Sequence, residues 1–203
     1  MFSIIQAAGW PIWFLIIASI ATVALIVERA ITLQRRKIIP PGLLEEVVTL
    51  HRNRQLNAEM LGRVERSSAL GRVLANGLRH EFESRDMIKD AMEESGRAVA
   101  HDLERFLPTL GTLATVAPLL GLFGTVIGMI EIFGSQSPAG NDPTQLAYGI
   151  SVALYNTAFG IGVAIPALLA YRAYRARVDD FLVEMEQQSL RLVDVIKGIG
   201  ARH

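Results

Sequence analysis

The sequence predicts an all-α membrane protein with three transmembrane helices, two of them extended into the cytoplasm. Three observations carry that expectation. Charge is absent from three long apolar runs, residues 7–27, 107–130 and 143–171, and each meets or exceeds the ~20 residues a helix needs to cross the hydrocarbon. Between and after the runs the apolar positions keep a helical period rather than an alternating one. All 20 Lys and Arg lie in residues 29–105 or 172–202, so the positive-inside rule puts those regions in the cytoplasm and the N-terminus outside.

The elements follow in order. Residues 1–28 read as the first span. A secretory signal would begin with a basic segment and end in a small-residue cleavage site. Here MFSIIQAAG has no Lys or Arg, and the run is followed by Glu28, Arg29, Arg35, Arg36 and Lys37; a retained span is expected. Trp10 and Trp13 stand where interfacial aromatic anchors belong.

Residues 29–106 read as a cytoplasmic helical region, with IIPPG at 38–42 breaking the first helix. Leu43, Leu44, Val47, Val48 and Leu50 mark one amphipathic segment. Met60, Leu61 and Val64 mark another, separated by Ser67 and Ser68 from Leu70, Val73, Leu74 and Leu78. Ser84 is an N-cap candidate with Asp86 in the first turn. From there Ile88, Ala91, Met92, Ser95, Val99, Asp102, Phe106 and Leu110 carry an apolar stripe into the second span, residues 107–133. Only Pro108 interrupts it, and a bend is expected there; residues 85–133 would measure ~73 Å if continuous, at 1.5 Å per residue. Residues 134–144 form a short outer turn. The third span, 145–171, runs on as a C-terminal helix, 172–203, with its period kept by Val178, Phe181, Leu182, Met185, Ser189, Leu192, Val193 and Ile196 up to Gly198 and Gly200.

Several function classes are disfavoured. Formal net charge is zero, and basic residues alternate with acids, so no nucleic-acid surface stands out. Arg35, Arg36, Lys37, Arg172, Arg175 and Arg177 are candidates for anionic phospholipid headgroups, or serve as topology signals alone. There is no cysteine, hence no disulfide or thiolate metal site. No phosphate loop, paired-histidine metal motif or nucleophile elbow is present, and His51, His80, His101 and His203 are scattered singly. Neither an enzyme nor a cofactor is expected. The outer turn is too short for a ligand-binding domain.

The informative feature is a polar face without charge. In the third span Gly149, Val152, Ala153, Asn156, Gly160, Val163, Ala164 and Ala167 share one side, with Thr157 at its edge and Ser151 close by. The second span offers Thr112, Thr115 and Thr125 with Gly121, Gly124 and Gly128; Pro118 and Pro166 should kink the two helices. Two readings stay open: tight packing of small residues, or the polar lining of a path between helices. Three helices cannot hide Asn156 and Thr157 from lipid alone, which points to a ring of subunits. Glu131, at the outer end of the second span, either marks the headgroup level or collects cations at an outer mouth.

PLLGLFGTVIGMIEIF (118–133) followed by GISVALYNTAFGIGVAIPALLAY (149–171) resembles the paired signature of the MotA/TolQ/ExbB proton-channel family. The likeness extends over the three-span layout and is most similar to the ExbB branch, then TolQ. The resemblance implies a homopentameric ring whose second and third spans line a pore. It implies an ExbD- or TolR-like partner whose single span brings an essential aspartate, and a TonB- or TolA-like protein driven by the proton gradient. On its motif Thr125 and Thr157 match the two pore threonines that face that aspartate. Their hydroxyls can donate to a carboxylate and accept from an acid. At Val152 the sequence departs from the family, which usually places a glutamate there; a proton-inert scaffold and a sodium-using relative are the competing expectations.

Overall fold

A computed structural model describes residues 9–134 and 143–198. Residues 1–8, 135–142 and 199–203 lie outside the described residues, and with them most of the outer turn expected at 134–144, the stop at Gly200, and His203. The regular elements described are all α-helices: α1 Ile12–Thr32, α2 Arg35–Ile38, α3 Leu43–Arg52, α4 Ala58–Ser67, α5 Ala69–Arg79, α6 Arg85–Glu104, α7 Leu107–Gly134 and α8 Pro143–Ile196. Apolar stretches long enough to cross a membrane fall in α1, α7 and α8. The chain divides into two compact units. The first takes the described residues up to Glu28 together with Phe106–Ala173; the second takes Arg29–Arg105 and the described residues from Tyr174 on.

The first unit is packed on small residues. Ala18, Ala117, Val163 and Ala164 form one buried cluster with Leu113 against it, and Ile12 and Val152 form another with Ile16. The helices α7 and α8 meet backbone to backbone. A Cβ at Gly160 would stand 2.5 Å from the Ala117 carbonyl oxygen, and one at Gly121 would stand 2.7 Å from that of Asn156. Only glycine permits this approach, which is how spans gain contact area where lipid is as apolar as leucine. Large side chains such as Leu119, Leu122, Ile130, Leu154 and Leu169 point outward instead.

The second unit buries large aliphatics. Val47, Leu70, Leu74, Ile88, Val99, Val178, Leu192 and Val193 are almost fully enclosed. Its helix starts are capped as their sequences allow: the Asn57, Ser68 and Ser84 side chains accept from the backbone N–H groups of Met60, Gly71 and Met87. Each cap satisfies one orphan donor of a first turn. Exposed ion pairs surround the core, among them Arg72–Asp102 at 2.6 Å, Arg35–Glu184 at 2.7 Å and Arg85–Asp194 at 2.6 Å. Lys197 donates to the backbone carbonyls of Glu81 and Glu83.

Three expectations are corrected. The first helix ends at Thr32, before residues 38–42, because Gln34 turns extended and a single turn of α2 follows. That corner buries Leu33, Ile38 and Ile39 together while Arg35 and Arg36 stay outside; a continuing helix could not put all three inside. Residues 85–133 are not one rod, since α6 ends at Glu104 and Phe106 is left-handed at φ 65°. The ring of Pro108 would meet the carbonyl of Glu104, four residues back, and brings no N–H to bond it. The helix therefore stops ahead of the proline, which then sits in the first turn of α7, where a missing N–H costs nothing. The buried stripe shifts accordingly: Leu103 and Leu107 are inside, whereas Asp102 and Phe106 are exposed.

Candidate functional site

The seam between α7 and α8 contains the polar residues of interest. The GxxxG spacing of Gly124 and Gly128 and the small residues of α8 bring the two backbones close enough for short side chains to reach across. Thr125 and Thr157 do so, with their hydroxyl oxygens 2.6 Å apart. Thr125 Oγ1 also lies 3.1 Å from the Ala153 carbonyl oxygen on α8 and 3.2 Å from that of Gly121 on its own helix.

A hydroxyl has one proton to give and lone pairs to receive, so this geometry allows two arrangements. In one, Thr157 donates to Thr125, Thr125 donates onward to a carbonyl, and Thr157 keeps an accepting lone pair. In the other, Thr125 donates to Thr157 and the Thr157 hydrogen is available to an outside acceptor. Both threonines are half-buried, neither shut into the core nor fully open. The pair can therefore meet a carboxylate as donor or a carboxylic acid as acceptor, by rotating two O–H bonds.

The other candidates occupy different positions. Asn156 is 1% exposed and fills the notch left by Gly124, where a Cβ would stand 2.8 Å from its Cγ. One chain thus encloses the Asn156 side chain by itself, contrary to the expectation that three helices could not hide it. Val152 is buried against Ile12 and Ile16 of α1. It also lines a cavity of about 360 Å³ shared with Gly9, Pro11, Gly128, Glu131, Tyr148 and Ala153. Glu131 is exposed, and its position in that cavity brings it together with Val152. Ser151 lies on the exposed surface of α8 and returns its hydroxyl to the Ala147 carbonyl at 2.9 Å. Thr112 and Thr115, expected beside Thr125, are exposed and bond carbonyls of their own helix. Of the three α7 threonines only Thr125 reaches α8.

Two features escaped the sequence reading. Arg29, counted there as a topology signal, is 3% exposed and donates to the Leu103 carbonyl at 3.3 Å. Thr22 is buried too. The signal was present: Leu15, Ala18, Thr22 and Arg29 recur at three-, four- and seven-residue steps along one helix face, and following that period past the last apolar residue marks Arg29 as inward. Trp10, expected as an interfacial anchor, packs edge-on against Phe14 and Phe123 at 5.8 and 6.0 Å between ring centres.

Comparison with known proteins adds an independent line. Residues 65–187 match the model of the MotA/TolQ/ExbB proton channel family, a stretch that contains all of α7 and both threonines. The biopolymer transport protein exbB1 of Vibrio cholerae is 30% identical over 89% of this chain and 82% of its own length. An ExbB homolog of Methanothermobacter thermautotrophicus is 35% identical over 58% of this chain, and there the chain spans only 42% of the relative. The Tol-Pal system protein TolQ of Haemophilus influenzae is 39% identical over 46% of this chain and 42% of its own length.

Proposed function

Because the chain belongs to the MotA/TolQ/ExbB proton channel family and is a multi-pass membrane protein, we propose that it is an energy-coupling subunit of the bacterial inner membrane. It works without enzymatic chemistry of its own and without a cofactor. An ExbD- or TolR-like partner with one span brings an aspartate to the seam, and ion flow through the assembly drives a TonB-like protein in outer-membrane transport. The observation that carries this reading is the Thr125–Thr157 pair at 2.6 Å. It is a neutral group able to follow a carboxyl through both of its protonation states.

Assembly and topology complete the proposal. Subunits form a ring, a homopentamer, that covers the outward faces of α7 and α8. The N-terminus and the turn near residue 140 are periplasmic, and residues 29–106 and 172–203 are cytoplasmic. Arg36, Arg172 and Arg177, all exposed, are the residues best placed for anionic headgroups, since Arg35 and Arg175 are engaged by Glu184 and Glu104. A TolQ-like role is the nearest alternative and is favoured by the Haemophilus relative. A proton-inert scaffold is favoured by the absence of a carboxylate at Val152.

The test replaces each hydroxyl by a methyl of the same shape. In a strain whose own coupling complex is deleted, Thr125→Val and Thr157→Val should preserve expression and ring assembly by native mass spectrometry and abolish partner-dependent uptake. Loss of one neutral hydrogen bond costs about 1 kcal/mol, so folding survives. Wild-type uptake in both variants would leave the pair a packing contact and nothing more.

A further inference from the structure

The cavity at the outer end of the seam has an electrostatic property that its size alone does not reveal. On α7, Gly121, Gly124, Gly128 and Glu131 follow at three-, four- and three-residue steps and so share one face. The same stripe that seals the seam with glycines ends in a carboxylate, at the level where the seam opens into about 360 Å³. At ~30 Å³ each, about a dozen waters fit there, enough for a hydrated monovalent ion. The walls are otherwise apolar apart from backbone and the Tyr148 phenol.

Among the described residues none forms an ion pair with that carboxylate. In residues 1–28 and 106–173 the sequence has one basic residue, Arg172, against Glu28, Glu131 and Asp142. Arg172 lies about 30 Å along α8 from Val152, at ~1.5 Å per residue. An anion set among low-dielectric walls focuses its field into the space before it and raises the local concentration of cations. One residue, moreover, connects the cavity to the hydroxyl pair. Ala153 lines the cavity, and its carbonyl accepts from Thr125.

We propose that this cavity is a loading site for a small monovalent cation, hydronium or sodium, held by Glu131 next to the hydroxyl pair. The assignment rests on the reading of the chain as an ion-driven subunit and deepens it. A carboxylate that the third span lacks at Val152 is supplied from the second span, across the same cavity. For hydronium, the Glu131 carboxylate accepts its hydrogen bonds; for sodium, it replaces part of the hydration shell.

The experiment uses the full chain in two settings. With its single-span partner in vesicles, flux is measured against outer cation concentration in separate proton-gradient and sodium-gradient arms. Glu131→Gln should raise the half-saturating concentration at least threefold in the arm that carries the ion, by more than it lowers maximal flux. Adding Val152→Glu in that background should restore it, whereas Val152→Glu alone should assemble and give no gain. An unchanged half-saturation in both arms, or a fall in maximal flux alone, overturns the loading site and makes Glu131 a helix-end marker. Thr157→Val separates the two proposals, because it should stop flux whether or not Glu131 is intact. On the chain alone, sodium NMR line broadening that disappears in Glu131→Gln supports the site even if no partner-dependent flux exists. Absence of any Glu131-dependent effect in all of these arms refutes it.

Discussion

The two units of this chain solve packing in opposite ways. The first brings α7 and α8 together over Gly121 and Gly160, where a Cβ would meet backbone atoms of the opposite helix, and over Gly124, where it would meet the Asn156 side chain. The second fills its interior with Leu70, Leu74, Ile88 and Leu192 and surrounds them with ion pairs. The contrast follows from the medium. In water, burying a leucine contributes ~2 kcal/mol or more by removing apolar surface. In hydrocarbon that gain vanishes, so close approach, dispersion and occasional cross-helix hydrogen bonds remain. One glycine in the first unit therefore does the work of a leucine in the second.

The largest effect is expected from breaking that rule in the first unit. At Gly121 a Cβ would meet the Asn156 carbonyl oxygen at 2.7 Å and the Thr157 Cα at 3.0 Å, both backbone atoms that cannot rotate away. Gly121→Val should exceed the ~1–3 kcal/mol usual for overpacking and remove the folded first unit, seen as lost protease resistance of α7 and α8 in detergent. The same substitution at Gly162, where nothing lies within 4 Å of a Cβ, should leave protease resistance intact. Equal damage at the two positions would end the comparison.

The matching change in the second unit is Leu74→Ala. Leu74 is fully buried, and such truncations cost ~2–5 kcal/mol. Chemical denaturation followed by circular dichroism should show the loss. A cost below 1 kcal/mol would mean that the second unit is not held by its aliphatic core.

A smaller effect tests the helix break. Phe106 holds φ at 65°, which costs a side-chain-bearing residue ~1–2 kcal/mol. Phe106→Val, with a branched Cβ, should be less stable than Phe106→Gly by about that amount in paired thermal melts. The reverse order would show that the aromatic ring, not the backbone, decides the site.

The smallest effect is a gain. Gly96 lies inside α6 with open space around it, so Gly96→Ala should stabilise the second unit by ~0.5–1 kcal/mol. Together with Gly121 it separates glycines that are required from one that is merely tolerated.

Much of this was legible in the residues. The cap at Ser84 is a local rule, needing only a side chain and the next turn; Ser68, read as a break, caps α5 by the same rule. The long C-terminal helix was readable because its period never changes phase, and the inward face of α8, from Val152 through Ala167, came from counting. The break at Phe106 was not readable, because nothing in a phenylalanine announces a left-handed backbone; Pro108 marked the neighbourhood, but its effect falls on residues before it. Asn156 stayed open in the residues: a polar residue among apolar ones can line a path or fill a notch, and the structure seats it against Gly124. Thr112 and Thr115 show the same limit, since their hydroxyls are satisfied by their own helix whatever faces them.

The uncharged seam also has a consequence for how the protein is made. A span entering the bilayer during synthesis is sorted by its own residues, and an acidic side chain at its centre costs ~2.5–3.5 kcal/mol on the insertion scale, where valine contributes a few tenths favourably. With valine at 152, about 9 Å along the helix from the middle of 145–171, and hydroxyls that can bond carbonyls of their own helix or the next, the third span crosses without even the smaller, off-centre share of that burden. The chain can be synthesised, inserted and kept in the membrane ahead of any partner.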